Sequence, residues 1–141
     1  MSPGPGEVEY RVPYADADPM QVVYYGNYLR YFEMARNALL RNVGLPYAEI
    51  ERRGIGFPVL EAHVEYRAPA RYDDELRFRA WVGRLKPVRL RVECDVRRGA
   101  TLLARGHTVH AVVDLATLRP VRLPAELAAH LQPLLGPATV A

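Results

Sequence analysis

From Tyr24 to Asn42 the apolar positions recur at three- and four-residue steps, and after Gly56 they recur at every second residue. The first period predicts a helix in which Tyr28, Phe32, Ala35 and Leu39 face inward and Leu29, Tyr31 and Leu40 widen the buried face. Gly44 is a natural stop for that helix, and 46–53 adds one or two further turns closed by Gly54. The second period predicts three strands. In 59–66, Leu60, Ala62, Val64 and Tyr66 alternate with Glu61, His63 and Glu65. Leu76, Phe78, Ala80 and Val82 alternate with arginines and Trp81, and Val88 to Val96 alternate with Arg89 to Arg97. Strands with one apolar and one polar side form an antiparallel sheet covered on one face. Val8 to Tyr14 reads as a first strand, Arg98-Gly99 as the turn into a last strand at 101–115, and 124–135 as a terminal helix with Pro124 in its first turn.

These elements assemble into an α+β domain: a long antiparallel sheet of about five strands against one dominant helix. One helix cannot cover both faces of such a sheet, so association with further copies is expected. The 141 residues suit a single domain over 8–136, behind a Pro/Gly-rich leader at 1–7 that is expected to be flexible.

Composition narrows the chemistry by what it omits. Ser2 is the only serine and lies in the leader, which excludes a Ser-His-Asp hydrolase. Cys94 is the only cysteine, and its place in step with Leu90 and Val92 makes it a core residue. Lys86 is the only lysine beside eighteen arginines, and the net charge of +3 is spread along the chain without a basic stripe. A nucleic-acid partner is therefore not expected, while an acidic small molecule suits the charge. No apolar run reaches the ~18 residues of a membrane span, and no cleavable leader is evident, so a cytoplasmic location is expected. His107 and His110, three apart on a strand, point to opposite faces, and His63 and His130 have no second ligand along their own elements; no metal site is expected.

The densest group of unusual residues runs from Tyr14 to Tyr28 and holds Asp16 and Asp18 just ahead of the long helix. Asp16 suits a turn. Asp18 lies about six residues before the helix start, too far for an N-cap, where a carboxylate can sit in a cleft beside free helix N–H groups. Those donors and the positive end of the helix dipole form a ready oxyanion site. Tyr14, Tyr24 and Tyr28 read as packing residues, and Glu33 as a structural partner of Arg36.

This stretch resembles the signature of hotdog-fold acyl-CoA thioesterases of the 4-hydroxybenzoyl-CoA thioesterase type. The matching residues are Asp18, Val22-Val23, Tyr25, Asn27 and Tyr28, then Phe32-Glu33-x-Ala35-Arg36, Phe57-Pro58-Val59 and Ala70-Arg71-Tyr72-Asp73-Asp74. The likeness covers about 8–125, with Met20-Gln21 where the family commonly has a glycine. The resemblance implies a hotdog fold and hydrolysis of an acyl-CoA thioester, with coenzyme A as part of the substrate and no separate cofactor. It further implies Asp18 as general base or nucleophile, backbone N–H groups at Tyr25 and Gly26 as the oxyanion site, and Asn27 near the substrate. Arg84, Lys86 and Arg89 would hold coenzyme A phosphates, and the chain would work as a homodimer or homotetramer. Two other readings stay open: a hydratase or dehydratase of the same fold, for which a paired histidine and acid are wanting, and a non-catalytic acyl-CoA-binding module.

Overall fold

A computed structural model describes residues 4–138. Five strands form one antiparallel sheet in the order β1-β4-β5-β6-β3: β1 (Glu7–Arg11), β3 (Val59–Tyr66), β4 (Glu75–Leu85), β5 (Arg89–Arg98) and β6 (Thr101–Ala111). Across its inner face lies α1 (Asn27–Asn42), which buries Tyr28, Tyr31, Phe32, Ala35, Leu39 and Leu40 against Leu76, Phe78, Val82, Val92, Cys94 and Val96. A short α2 (Tyr47–Arg52), a two-residue pair β2 (Ile55–Gly56) with β7 (Val113–Asp114), and α3 (Ala125–Leu131) close the ends of this core. The arrangement is the hotdog fold: a long sheet wrapped on one central helix.

The alternation in β4 and β5 places apolar side chains inward, as the two-residue period dictates. Their outward residues are charged and pair with one another. Arg79 and Arg97 both reach Asp95, at 2.6 and 3.5 Å, and Arg91 meets Glu93 at 3.0 Å. Glu93 and Asp95 are buried beneath these side chains, so the outer face is a charge lattice rather than a solvated surface. Gly83 makes room for it: a Cβ there would meet the Glu93 side chain at 2.7 Å.

Several boundaries differ from the pattern reading, each for a local reason. The first strand ends at Arg11, because Tyr14–Asp16 is wound into a 3-10 turn. The leader is anchored before residue 8: Ala80 donates its N–H to the Gly6 carbonyl at 2.9 Å, and the Asn42 amide donates to the Pro5 carbonyl. Residues 1–3 of that leader lie outside the described residues. Leu29, expected to face inward, is exposed, as are Tyr14 and Tyr24, whereas Tyr28 is buried. Within β3 much of the apolar stripe is exposed: Leu60 and Tyr66 are half open to solvent, as is neighbouring Val59, while Val64 packs against the core. The cause is topological, since β3 is one of the two edge strands and has a neighbour, β6, on one side only.

The glycine stops act as read. Gly44 and Gly54 follow their helices at φ +86° and +82°, and Gly99 turns β5 into β6 at φ +58°. In this left-handed region a side chain is costly, and glycine relieves it.

Candidate active site

The segment leading into α1 is built on Asp16. Its carboxylate is buried and accepts hydrogen bonds from the Tyr10 hydroxyl (2.7 Å), the Tyr31 hydroxyl (2.7 Å) and the Arg30 guanidinium (2.6 Å). Burial acts to raise its pKa, but the two tyrosine hydrogen bonds and Arg30 outweigh it, and the carboxyl is held below the ordinary carboxylate range. Both tyrosines move the other way, raised first by burial and then by their bond to the Asp16 anion. The Asp16 carbonyl is used as well, accepting from Tyr24 N–H and from the Asn27 amide. Asp16 therefore joins β1, the loop and α1; it does more than the turn-making expected of it.

With Asp16 held, 17–23 folds back as a miniature hairpin. Ala17 bridges to Val23, Val22 bridges to Arg71, and Val23 donates to the Ala70 carbonyl. Asp18 lies on this hairpin and forms its turn: the Gln21 N–H donates to the Asp18 carbonyl, and the Met20 N–H donates to Asp18 Oδ1 at 2.8 Å. Among the described residues Oδ2 has no protein partner. Gln21 sits at φ +65°, the reason a glycine suits this turn. Asp18 lines an open depression of about 560 Å³ with Tyr14, Gln21, Arg71 and Tyr72.

Tyr25, Gly26 and Asn27 form the turn that enters α1 and do not line that depression. The Asn27 and Tyr28 N–H groups are taken by the Tyr24 and Tyr25 carbonyls. Tyr25 and Gly26 N–H have no such bond among the described residues. Gly26 is tightly covered, since a Cβ there would meet the Tyr24 ring at 2.7 Å. Tyr66, at the end of β3, donates its hydroxyl to the Tyr25 carbonyl at 3.0 Å and so ties this turn to the free sheet edge. The Asn27 amide nitrogen is committed to Asp16.

Arg84, Lys86 and Arg89 come together in a second depression, with Arg91 and Glu61, where β4 turns into β5. That is the opposite end of the sheet. Arg71 and Asp74 precede the first residue of β4, whereas Arg84 and Lys86 lie at its last. The eleven residues of β4 separate the two depressions by about 35 Å at ~3.3 Å per residue.

Sequence reasoning missed two features of the site. Arg71 and Tyr72 belong to it because Asp74 accepts the Arg71 N–H at 2.9 Å and pairs with Arg98 at 2.8 Å, which shapes the Ala70–Asp74 turn. The Tyr10–Tyr31–Arg30 clamp on Asp16 was also unforeseen, because its members are far apart in the chain. Elsewhere, Phe57 leaves the ladder and has its N–H bonded to the Tyr47 hydroxyl and its carbonyl bonded to His110 Nδ1. His110 and His107 do face opposite ways, and His107 stacks on its cross-strand neighbour His63 at 5.4 Å.

Comparison with known proteins decides the family. The sequence pattern of the thioesterase-like superfamily matches residues 12–131. The chain belongs to that superfamily, and with it to the thioester hydrolases. It is 32% identical over 120 residues to the acyl-CoA thioesterase YbgC of Haemophilus influenzae, covering 84% of this chain and 88% of that one. With a putative acyl-CoA thioesterase, YneP, of Bacillus subtilis it shares 34% identity over 74 residues, 52% of this chain and about half (54%) of the relative. Among solved structures, the hypothetical protein TT1821 of Thermus thermophilus superposes with a TM-score of 0.86 at 35% identity, over 91% of this chain and 98% of that one. The gentisyl-coenzyme A thioesterase BH1999 superposes at 0.79 with 25% identity, over 86% and 98%. No helix among the described residues is long and apolar enough to cross a membrane.

Proposed function

We propose that this thioesterase-superfamily chain hydrolyses acyl-CoA thioesters with the Asp18 carboxylate as general base or nucleophile. The observation that carries the reading is the state of that side chain: one oxygen is fixed by Met20 N–H and the other is free toward an open depression. A carboxylate oriented in this way can deprotonate water or attack the acyl carbon. The thiol leaving group needs no dedicated acid, because a thiol pKa of ~8.5 lets it depart as thiolate. The Tyr25 and Gly26 N–H groups at the start of α1, outside that depression but unbonded among the described residues, serve the oxyanion of a substrate that bridges the two, one such donor being worth ~3 kcal/mol of barrier.

The acting unit is a pair of copies. Arg84, Lys86 and Arg89 hold the coenzyme A phosphates, yet within one chain they lie beyond the reach of a pantetheine arm whose thioester is at Asp18. A second copy pairing antiparallel along the free edge of β3 reverses the strand direction and brings its basic end beside Tyr66, Tyr25 and the start of α1. The same pairing covers the exposed Val59, Leu60 and Tyr66.

The test is hydrolysis of an acyl-CoA panel by the parent and by Asp18→Asn. Activity that survives in Asp18→Asn overturns the role of Asp18, and a parent inactive on every acyl-CoA points to a binding module. Label found in the Asp18 side chain after a single turnover in 18O-water identifies the nucleophilic role, since it enters only when water opens a mixed anhydride at the aspartyl carbonyl.

A further inference from the structure

Tyr66 closes β3, and its ring stands edge-on to two tyrosines, with centroids 5.2 Å from Tyr28 and 6.5 Å from Tyr25. Pairing with Ala104 of β6 fixes its backbone. The hydroxyl is thereby aimed at the Tyr25 carbonyl, 3.0 Å away and 41 residues back in the chain. Burial, and then the neighbouring Tyr25, raise the pKa of this hydroxyl, so it stays protonated and able to donate through the neutral range.

The Tyr25 carbonyl shares a peptide plane with the Gly26 N–H, which is itself unbonded among the described residues. In a trans peptide the two groups point in opposite directions, so a bond at the oxygen fixes where the N–H aims. A donor at the oxygen also polarises the peptide and strengthens the N–H as a donor.

This peptide needs an outside hold. Asn27 N–H bonds the Tyr24 carbonyl at 2.9 Å, so Tyr24 to Asn27 is a β-turn with Gly26 at its third position. Gly26 takes φ −64° and ψ −23°, the negative-φ form. Glycine at that position also permits the alternative turn, with φ of about +80°, in which the Tyr25–Gly26 peptide is turned over. Its N–H then points where its carbonyl pointed. Within the turn the Tyr25 carbonyl is held only by Tyr28 N–H, at 3.2 Å. Tyr66 adds a second donor from the sheet, and it bonds the first form alone, because it needs the carbonyl on the side of β3.

We propose that Tyr66 is a positioning residue for thioester hydrolysis: its hydroxyl holds the Tyr25–Gly26 peptide so that the Gly26 N–H faces the acyl oxygen as the oxyanion forms. This role rests on the Asp18 reading above and adds to it the residue that sets an oxyanion donor. A second copy paired along β3 would cover the half-exposed Tyr66 and withdraw this bond from water, which strengthens it.

The test is Tyr66→Phe, which keeps the ring against Tyr25 and Tyr28 and deletes only the hydroxyl. On an acyl-CoA that the parent hydrolyses, kcat is expected to fall about tenfold with KM within about twofold, part of the roughly hundredfold that loss of a whole oxyanion donor costs. In a 1H–15N correlation spectrum the Gly26 amide should be displaced, while amides in the middle of β4 and β5 stay in place. An unmoved Gly26 resonance, an unchanged kcat, or a loss confined to KM overturns the proposal. An active parent matched by the Phe variant removes Tyr66 alone and leaves the Asp18 reading standing; a parent inactive on every acyl-CoA removes both. If Tyr66→Phe does not fold, Tyr66→meta-fluorotyrosine, a more acidic and stronger donor, takes its place. A kcat above the parent's then supports the proposal, and a kcat at or below it overturns it.

Discussion

The Tyr31 hydroxyl donates to the Asp16 carboxylate at 2.7 Å, joining the second turn of α1 to the loop that carries Asp18. The two residues are adjacent in space because α1 buries Tyr31 completely and the 3-10 turn delivers Asp16 beneath it. The loop is thereby positioned by a buried ionic hydrogen-bond group and not by its own turn chemistry.

Removing that group should destabilise the whole fold. Tyr31→Phe is expected to cost about 1–2 kcal/mol, and Asp16→Asn, which leaves Arg30 and two tyrosines without their anion, about 2–4 kcal/mol. Urea unfolding at pH 7 measures both, and a loss under 0.5 kcal/mol for Asp16→Asn contradicts the clamp.

Asp18→Asn should behave in the opposite manner. Its side chain makes one local bond in an open depression, so stability should stay within about 0.5 kcal/mol of the parent. Under the proposed chemistry, kcat should fall at least a hundredfold. A variant equally weak in stability and turnover would place Asp18 in the framework instead.

Two acid limbs are expected in the stability profile. His110 is buried, with its folded pKa lowered to about 4 from an unfolded value near 6.5. The unfolded chain then binds the proton first, so stability is full above pH 6.5 and falls by about 3 kcal/mol as pH drops toward 4. Asp16, also depressed in the folded state, contributes above its unfolded value near 3.9 and is lost as pH falls through its folded one. Urea titrations from pH 7.5 to 3 should show His110→Gln flattening only the upper limb and Asp16→Asn only the lower.

Gln21→Gly should stabilise the chain by about 0.5 kcal/mol. Gln21 holds φ +65°, where glycine avoids the side-chain clash but gives back part of the gain through its freer unfolded state. Thermal melts decide the sign.

Replacing Arg84, Lys86 and Arg89 together by alanine should raise KM for acyl-CoA about tenfold or more with little change in kcat. The salt dependence of KM should also weaken, because exposed charges act on phosphates through a screened field. Unchanged KM and unchanged salt dependence would remove these residues from the substrate path.

Much of this molecule is legible from residue order alone. A two-residue period in β4 and β5, and the three-and-four spacing of Tyr28, Phe32, Ala35 and Leu39, specify faces because the backbone repeats are local. Asp18 stands out in the sequence through its motif and its distance ahead of α1, and its catalytic role remains the proposal made above. Asp16 was not legible, because Tyr10 and Arg30 converge on its carboxylate only once β1 and α1 are packed. The exposure of Val59, Leu60 and Tyr66 was equally hidden. Alternation shows which side of a strand is apolar, but not that β3 would be left at the edge of the sheet.

The sequence by itself determined the fold class and the core-facing side of each central strand and of α1, and its lack of any serine beyond Ser2 excluded a Ser-His-Asp hydrolase. Those properties follow from local periodicity and from which side chains the chain contains. Only the tertiary structure decided that Asp18 and the Arg84–Lys86–Arg89 group lie at opposite ends of one sheet, that Tyr10, Arg30 and Tyr31 converge on Asp16, and that β3 lies at a sheet edge. Each is a relation between residues brought together or held apart by strand order and helix packing, and no one-dimensional spacing encodes it.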